Sequence, residues 1–144
     1  MNRLSRDPVA LLEAAREGQR IALARLMSLV ERGGDEARLV GAQTYSQVGG
    51  AYTVGMTGAP GSGKSSLTAA LASVVRSEDE RLAILAIDPS SPFTGGAILG
   101  DRVRMQEHVT DDGIYIRSMA TRGHLGGLSL ATPQAIRVLD ALGW

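Results

Sequence analysis

Eight consecutive residues near the middle of the chain carry the clearest chemical signal in the sequence. Residues 58–65 read GAPGSGKS and match the pattern G-x-x-x-x-G-K-[ST]. The glycines of this pattern let backbone amides converge on an anion, the lysine adds a cation, and the final hydroxyl can ligate Mg²⁺. The spacing therefore predicts a Walker A loop that binds the phosphates of a nucleoside triphosphate.

The predicted phosphate-binding residues form one stretch with separate roles. We expect Lys64 to reach the β- and γ-phosphates as a mobile cation and Ser65 to ligate Mg²⁺, while Ser66 can add a phosphate contact. The full set is Gly58, Ala59, Pro60, Gly61, Ser62, Gly63, Lys64, Ser65 and Ser66.

Two other interpretations compete for the same glycine-rich stretch. A purely structural turn is disfavoured because the motif lies between a predicted strand and a predicted helix, which is the context that a phosphate loop requires. A dinucleotide-binding fingerprint would use Gly61 and Gly63, with Asp88 after the next strand. That fingerprint expects Gly or Ala where this chain has Ser66, and it leaves Lys64 unexplained.

Two aspartates are candidates for the neighbourhood of the metal. Asp88 ends the next predicted strand, at the edge where open α/β sheets bind ligands, and Asp101 opens the following predicted helix. Carboxylates beside phosphates suit Mg²⁺, directly or through its water ligands. A turn-capping role for Asp88 and a helix-capping role for Asp101 fit the same positions and stay open from spacing alone.

Two further glycine-rich loops are predicted, at 95–100 and 123–127, and several arginines and one histidine in these loops or beside them are weaker candidates. An arginine beside the phosphates can stabilise charge in phosphoryl transfer, although most surface arginines have no such role. The histidine fits a solvated loop better than a metal site, because no His or Cys cluster accompanies it. These residues are Arg102, Arg104, Arg117, Arg122 and His124.

Strands and helices alternate from residue 51 onward, which predicts a three-layer α/β P-loop NTPase domain with a parallel sheet. The apolar run 82–87 is typical of a strand covered on both faces. Thr132 is the expected N-cap of the last helix, with Pro133 at its first position and Gly143 after its end. The predicted strands are 51–57, 82–87 and 114–117, and the other predicted helices are 64–76 and about 101–109.

An α-helical segment is predicted to precede this domain. We expect residues 1–48 to be helical and residues 49–144 to form the N-terminal part of the P-loop domain, with the boundary at Gly49-Gly50. The first helix should be capped by Asp7, continue from Pro8 and end at Gly18. Two more helices are predicted, over about 19–32 and from near Asp35.

Composition excludes several classes of protein. The 144 residues have a formal net charge of zero and 3% aromatic residues, so nothing predicts binding to nucleic acid or to an anionic membrane. The absence of cysteine excludes disulfides and thiolate metal sites and suits a reducing compartment. With no apolar leader and no long apolar run, we expect a soluble cytoplasmic protein.

Four segments together resemble one protein family. They read GMTGAPGSGKSSL, LAIDPSSPFTGGAILGDRVRM, YIRSMATRGHLGGLSLATPQAI and VLDALGW. Over roughly residues 10–144 the chain resembles the MeaB/ArgK family of P-loop GTPases, the methylmalonyl-CoA mutase-associated proteins. The DPSS…TGG…GD and RGHLGG blocks are far more specific than the Walker A pattern alone.

The resemblance implies an activity, a cofactor and a partner. The family binds GTP and GDP with Mg²⁺, hydrolyses GTP, and is similar to a metallochaperone that gates adenosylcobalamin delivery to methylmalonyl-CoA mutase and protects or reactivates that enzyme. By resemblance, Lys64 and Ser65 are the phosphate and Mg²⁺ residues, and Asp88 and Asp101 belong to the metal-proximal switch region. Lys64, Asp88 and Asp101 are thus the catalytic candidates, and Ser65, Asp88 and Asp101 the metal candidates. Family members are commonly homodimers, so we expect the full-length protein to be one.

The resemblance also predicts what lies beyond Trp144. In the family, a strand with a Walker B-like acidic residue, a guanine-reading N-K-x-D segment and a dimerisation arm follow, so we expect a truncated domain with an unpaired sheet edge and exposed apolar surface. A non-catalytic nucleotide- or partner-binding fragment is one alternative. An ATP-binding P-loop kinase or transport-associated ATPase is the other, because residues 58–65 recognise phosphate and not the base.

Overall fold

The computed structural model describes residues 7–88, 110–120 and 131–144. Its helices and strands, in chain order, are α1 (Pro8–Arg16), α2 (Arg20–Arg32), α3 (Asp35–Thr44), a 3₁₀ turn (Tyr45–Gln47), α4 (Lys64–Ser77), β1 (Leu82–Asp88), β2 (Ile114–Ala120) and α5 (Thr132–Ala141). Among these described elements, no helix is long and apolar enough to cross a bilayer.

The elements belong to two compact units. A helical unit contains α1, α2, α3 and α5, within residues 1–51 and 130–144, and a P-loop unit contains α4 and both strands, within residues 52–129. The sequence-based division at residue 48 assigns the last helix to the second region, whereas the structure groups it with the N-terminal helices. The physical reason is the apolar face of α5, which is buried against that helical unit.

An apolar core to which all four helices contribute holds the helical unit together. Its members recur every three or four residues along each helix, as amphipathic helices require. The buried apolar residues of this unit include Leu11, Leu12, Ala15, Ala22, Leu23, Leu26, Met27, Leu29, Val30, Ala37, Val40, Ala135, Val138 and Leu139.

Local signals set the ends of the N-terminal helices. The Asp7 carboxylate accepts a hydrogen bond from the Ala10 amide at 3.0 Å, and Pro8 occupies the first helical position, so the predicted start of α1 is confirmed. Gly33, with a φ of +76°, ends α2 in a conformation that glycine adopts at low cost.

The last helix begins one residue away from its predicted start. Thr132 was the expected cap, but Ala131 is the N-cap residue and Thr132 is the first helical residue. Thr132 is 3% exposed, and its buried hydroxyl has no hydrogen-bond partner among the described residues. Gly41 of α3 lets α5 approach closely, since Gln134 donates to the Ala37 carbonyl there.

The P-loop unit contains a parallel two-stranded sheet in an α/β arrangement. β1 and β2 pair in register from Leu82 opposite Ile114 to Asp88 opposite Ala120. Ala72 of α4 is buried with Ile84 and Ile114, so the helix packs on the sheet through a small apolar core. The predicted strands at 82–87 and 114–117 and the predicted helix at 64–76 are confirmed, each slightly longer than expected.

The predicted strand at 51–57 is wrong. These residues are in neither a helix nor a strand, and Tyr52 and Val54 are 94% and 55% exposed. Apolar β-branched sequence favours a strand only when a neighbouring strand accepts its hydrogen bonds. Within the described residues, β1 and β2 pair with each other and neither pairs with this segment.

Other predicted elements lie outside the described residues. The predicted helix at about 101–109 and the glycine-rich loops at 95–100 and 123–127 belong to this group.

Arg76 braces the end of α4 against the start of β2. Its Nε donates to the Asp111 carboxylate at 3.0 Å and its Nη1 donates to the Glu80 carbonyl at 2.7 Å. The Asp111 bond is the main reason that the pKa of Arg76 is raised. A Cβ added at Gly113 would lie 2.1 Å from the guanidinium carbon, so this glycine makes room for the brace.

We predict that Gly113→Ala lowers the melting temperature by several degrees, because the guanidinium must leave both acceptors to make room for the methyl group. In an Arg76→Ala background the same change should have almost no effect, since the obstacle is gone. Thermal unfolding of the four chains in this double-mutant cycle measures the coupling. Gly55→Ala, which adds a Cβ with nothing within 4 Å, is the control. Equal effects of Gly113→Ala in both backgrounds would contradict the prediction.

Candidate functional site

The Walker A residues form a loop that leads directly into α4. Residues 58–63 contain no helix or strand, and α4 begins at Lys64. Within the loop, the Ser62 amide donates to the Ala59 carbonyl at 3.2 Å, which closes a tight turn. The structure thus brings residues 58–66 together around the start of a helix, which is where phosphate loops bind anions.

The glycines of the motif have physical reasons in this structure. Gly61 and Gly63 have φ values of +77° and +87°, in the left-handed region that residues with a Cβ rarely adopt. Gly58, with a φ of +157°, also provides space, because a Cβ there would lie 2.9 Å from the Ser62 hydroxyl oxygen. A side chain at any of the three positions would therefore distort the loop.

The N-cap position of α4 supplies no side-chain hydrogen bond to the helix. Its N-cap residue is Gly63, and Leu67 donates the first hydrogen bond of the helix, to the Gly63 carbonyl at 2.9 Å. Helix geometry gives the amides of the first three helical residues no acceptor within the helix. At α1, by contrast, the Asp7 carboxylate accepts a hydrogen bond from one of these amides, that of Ala10. The start of α4 is suited to an external anion, which the helix dipole also favours.

Lys64 lies against the loop that precedes it. Its Nζ donates to the carbonyl oxygens of Gly58 at 2.8 Å and Ala59 at 2.9 Å. An ammonium group has three donors, so these two bonds leave one for a phosphate oxygen. Lys64 is also the only lysine in the sequence, since every other basic residue is an arginine.

The remaining motif residues lie in the first turn of α4. Ser65 and Ser66 are its second and third residues. Near the end of that turn, the Thr68 hydroxyl lies 3.0 Å from the Met56 sulfur and 2.8 Å from the Lys64 carbonyl oxygen. Thr68 thereby links the helix to the segment that enters the loop. No sequence pattern relates Met56 to Thr68, so sequence analysis missed this contact.

The two aspartates fall at the edge of the described residues or outside them. Asp88 is the last residue of β1, beside Ala120 at the end of β2, and its side chain is not among the described parts. Asp101 lies outside the described residues. Parallel pairing puts the carboxyl ends of both strands at one edge, which is the edge expected for Asp88. In the described ranges, no group of three His, Cys, Asp or Glu residues is arranged to hold a metal.

The weaker candidates are mostly outside the described part of the chain. Arg117 lies in β2 opposite Leu85, in the middle of the sheet. Arg102, Arg104, Arg122 and His124 fall in the ranges that the structure does not describe.

Three consecutive backbone amides, a few residues before the loop in the sequence, bind one carboxylate. The Gly49 amide donates to Asp140 Oδ2 at 2.5 Å, and the amides of Gly50 and Ala51 donate to Asp140 Oδ1 at 3.1 and 2.8 Å. These bonds, the one from Gly49 first, hold the pKa of Asp140 below its usual value. The signal for Asp140 in the sequence is faint: a carboxylate in the last turn of a helix opposes the helix dipole.

Comparison with known proteins adds a family to this geometry. The family model described as "Methylmalonyl Co-A mutase-associated GTPase MeaB" matches residues 23–144. The chain is 55% identical over 133 residues to a Pyrococcus abyssi protein with a provisional GTPase name. It is 35% identical over 133 residues to GTPase ArgK of Escherichia coli. It is 34% identical over 149 residues to the "Methylmalonic aciduria type A homolog, mitochondrial" of Caenorhabditis elegans.

These matches cover unequal shares of the two chains. They include 92%, 90% and 93% of this chain but only 41%, 40% and 37% of the three relatives. The chain thus spans about two fifths of the length of the curated relatives it matches.

We predict that Gly58→Ala weakens GDP binding at least about tenfold, because the new methyl group meets the Ser62 hydroxyl and the backbone is disfavoured for alanine. Adding Ser62→Ala removes the nearest obstacle, leaving only contacts of 3.7 and 3.8 Å. The double variant should therefore recover part of the affinity. Calorimetry on both single variants and the double variant separates steric from backbone effects. Unchanged affinity in Gly58→Ala would contradict the site.

Proposed function

Because this chain belongs to the family of methylmalonyl-CoA mutase-associated GTPases named MeaB, we propose that it binds GTP and GDP through residues 58–66. The observation that carries the proposal is the loop itself. It combines glycines that a Cβ would obstruct, a helix start without a side-chain cap, and an ammonium group held over the loop carbonyls. These features suit the binding of a polyphosphate, and they do not depend on which base the nucleotide carries.

We propose the following roles for the site residues. The loop amides and Lys64 hold the phosphates, and Lys64 offsets the charge that develops when water attacks the γ-phosphorus. The Ser65 hydroxyl, in the first turn of α4, would hold Mg²⁺, and that ion would neutralise negative charge on the phosphates. Asp88 and Asp101 are proposed to complete the metal surroundings, Asp88 because it ends β1 at the ligand-binding edge of a parallel sheet.

The fit of this chain to Mg²⁺ depends on few protein ligands. Magnesium usually keeps several waters and is bound by one or two protein groups together with phosphates. A single hydroxyl beside a phosphate loop is compatible with that requirement. The donor set of the described residues thus suits a metal that arrives with the nucleotide rather than a preformed metal centre.

The wider biological role is proposed from the family. We propose that the full-length protein is a cytoplasmic homodimer with a three-layer P-loop domain, and that it couples GTP hydrolysis to adenosylcobalamin delivery to methylmalonyl-CoA mutase or a related mutase. The family name mentions that mutase, and the Caenorhabditis elegans relative is named for methylmalonic aciduria. Nucleotide-dependent co-elution with an adenosylcobalamin-dependent mutase tests this role, and equal elution with GDP, with a non-hydrolysable GTP analogue and without nucleotide would count against it.

A non-catalytic binding module is the second candidate. One observation favours it: residues 51–57, which lead into the loop, have no strand pairing among the described residues. A loosely held loop can bind phosphates without positioning water for attack. GTP turnover that Lys64→Ala abolishes would favour the enzyme, and binding without turnover would favour the module.

We predict that GDP or GTP with Mg²⁺ protects Lys64 from amine-reactive labelling. Because Lys64 is the only lysine, the label reports on the loop alone once the N-terminal amine is resolved by mass spectrometry. Calorimetry should show that GTP and GDP bind more tightly than GMP, and that binding is lost in Lys64→Ala. Arg25→Ala, which removes an exposed cation from α2, should bind like the unaltered chain.

Three outcomes would change the proposal. A folded chain that binds no nucleotide and labels equally with and without it would overturn the site. A clear preference for ATP over GTP would move the chain toward the P-loop kinases and transport-associated ATPases. Binding that persists in Lys64→Ala would place the phosphates elsewhere.

A further inference from the structure

We infer that Asp140 is a positioning residue for the phosphate loop, because its carboxylate fixes the backbone from which the chain enters residues 52–63. The inference rests on the proposed nucleotide site and assigns a residue that supports it from outside the motif. Asp140 is 76 residues beyond Lys64 in the sequence and belongs to the helical unit, outside the Walker A motif.

The contact lies where the chain passes from one compact unit to the other. Ala51 is the last residue of the helical unit and Tyr52 is the first of the P-loop unit. Three consecutive amides, those of Gly49, Gly50 and Ala51, converge on the Asp140 carboxylate. Such a concave set of amides is an anion-binding nest, and here the anion is a side chain of the same unit.

The position of Asp140 is unfavourable for its own helix. It lies in the last turn of α5, where the helix dipole favours cations and disfavours a carboxylate. Helix stability therefore gives no reason for an aspartate here. The three amides supply one, since they stabilise the ionised carboxylate and account for the lowered pKa.

The carboxylate is attached to a rigid support. Val138 and Leu139, which precede it, are 0% and 4% exposed. The end of α5 is closed by two further hydrogen bonds, from the Gly143 amide to the Asp140 carbonyl and from the Trp144 amide to the Leu139 carbonyl. This double closure, with Gly143 at a φ of +77°, is a Schellman motif. Asp140 thus transmits the position of a packed helix to residues 49–51.

Within the described part of the chain, the segment between this anchor and the loop has few other restraints. Residues 52–57 form no strand and are mostly exposed. Among the contacts described above, Asp140 holds the start of this segment and the Met56–Thr68 contact holds its end. Releasing the first anchor enlarges the set of conformations open to the segment. The fraction of molecules with a binding-ready loop then falls, and the apparent affinity falls by the same factor.

The test compares Asp140→Ala, Asp140→Asn and the control Glu17→Gln. Alanine removes both carboxylate oxygens and therefore all three hydrogen bonds. Asparagine keeps one oxygen as an acceptor but replaces the other with an NH₂ group, which is itself a donor and faces a backbone N–H. Glu17 is an exposed carboxylate at the end of α1 in the same unit. Glu17→Gln therefore removes one negative charge, as both Asp140 variants do, without removing the contact under test. Each chain is measured well below its melting temperature, so that nearly all molecules are folded.

We expect Asp140→Ala to lower the backbone ¹⁵N order parameters of residues 49–57 toward the flexible range, below about 0.6. GDP affinity should fall by roughly three- to tenfold, less for Asp140→Asn and not at all for Glu17→Gln. A merely structural role would lower the melting temperature but leave both the order parameters of 52–57 and the affinity of the folded chain unchanged, and that result would overturn the inference.

The order parameters also separate the two proposals. If the unaltered chain binds no nucleotide, the proposed function fails, while a loosened 52–57 segment in Asp140→Ala still supports the anchor. If the unaltered chain binds GDP and Asp140→Ala binds it equally well, the inference fails and the nucleotide site stands.

Discussion

Backbone amides must find an acceptor, and this requirement governs the region that leads into the candidate site. Two groups of amides lie close together in the sequence without the hydrogen bonds of a helix or strand. The first, at residues 49–51, converges on the Asp140 carboxylate. The second, at the start of α4, follows a glycine that offers no side-chain cap. The first group binds an anion that the chain itself supplies, and the helix dipole makes the second group suited to an anion from outside.

Among the described residues, the two units bury different numbers of apolar side chains, and this affects how firmly each group of amides is held in place. The helical unit has a core drawn from four helices, which gives Asp140 a fixed base. The described part of the core of the P-loop unit, around Ala72, Ile84 and Ile114, is smaller, and Leu67 and Val74 of α4 are 61% and 62% exposed. Among the described residues, directional contacts such as those of Lys64 and Thr68 hold the loop in place.

The agreement between sequence and structure is best where a single residue or a short pattern decides the outcome. Asp7 caps α1, α2 ends at Arg32 and the Walker A residues precede a helix, all as predicted. The agreement fails at residues 51–57, because a strand exists only with a partner. It also fails at Thr132, where burial of the side chain prevailed over its capping preference.

The sequence by itself determined the glycine-rich loop before α4, the start of α1 and the two paired strands, since these follow from local conformational preference, capping and apolar periodicity. The sequence also identified the family, because its motifs match a family model over residues 23–144. Only the tertiary structure decided that α5 joins the N-terminal helices and that Asp140 binds amides about 90 residues away in the chain. The reason is physical: helix packing and carboxylate–amide contacts depend on distances in space, which no local pattern encodes.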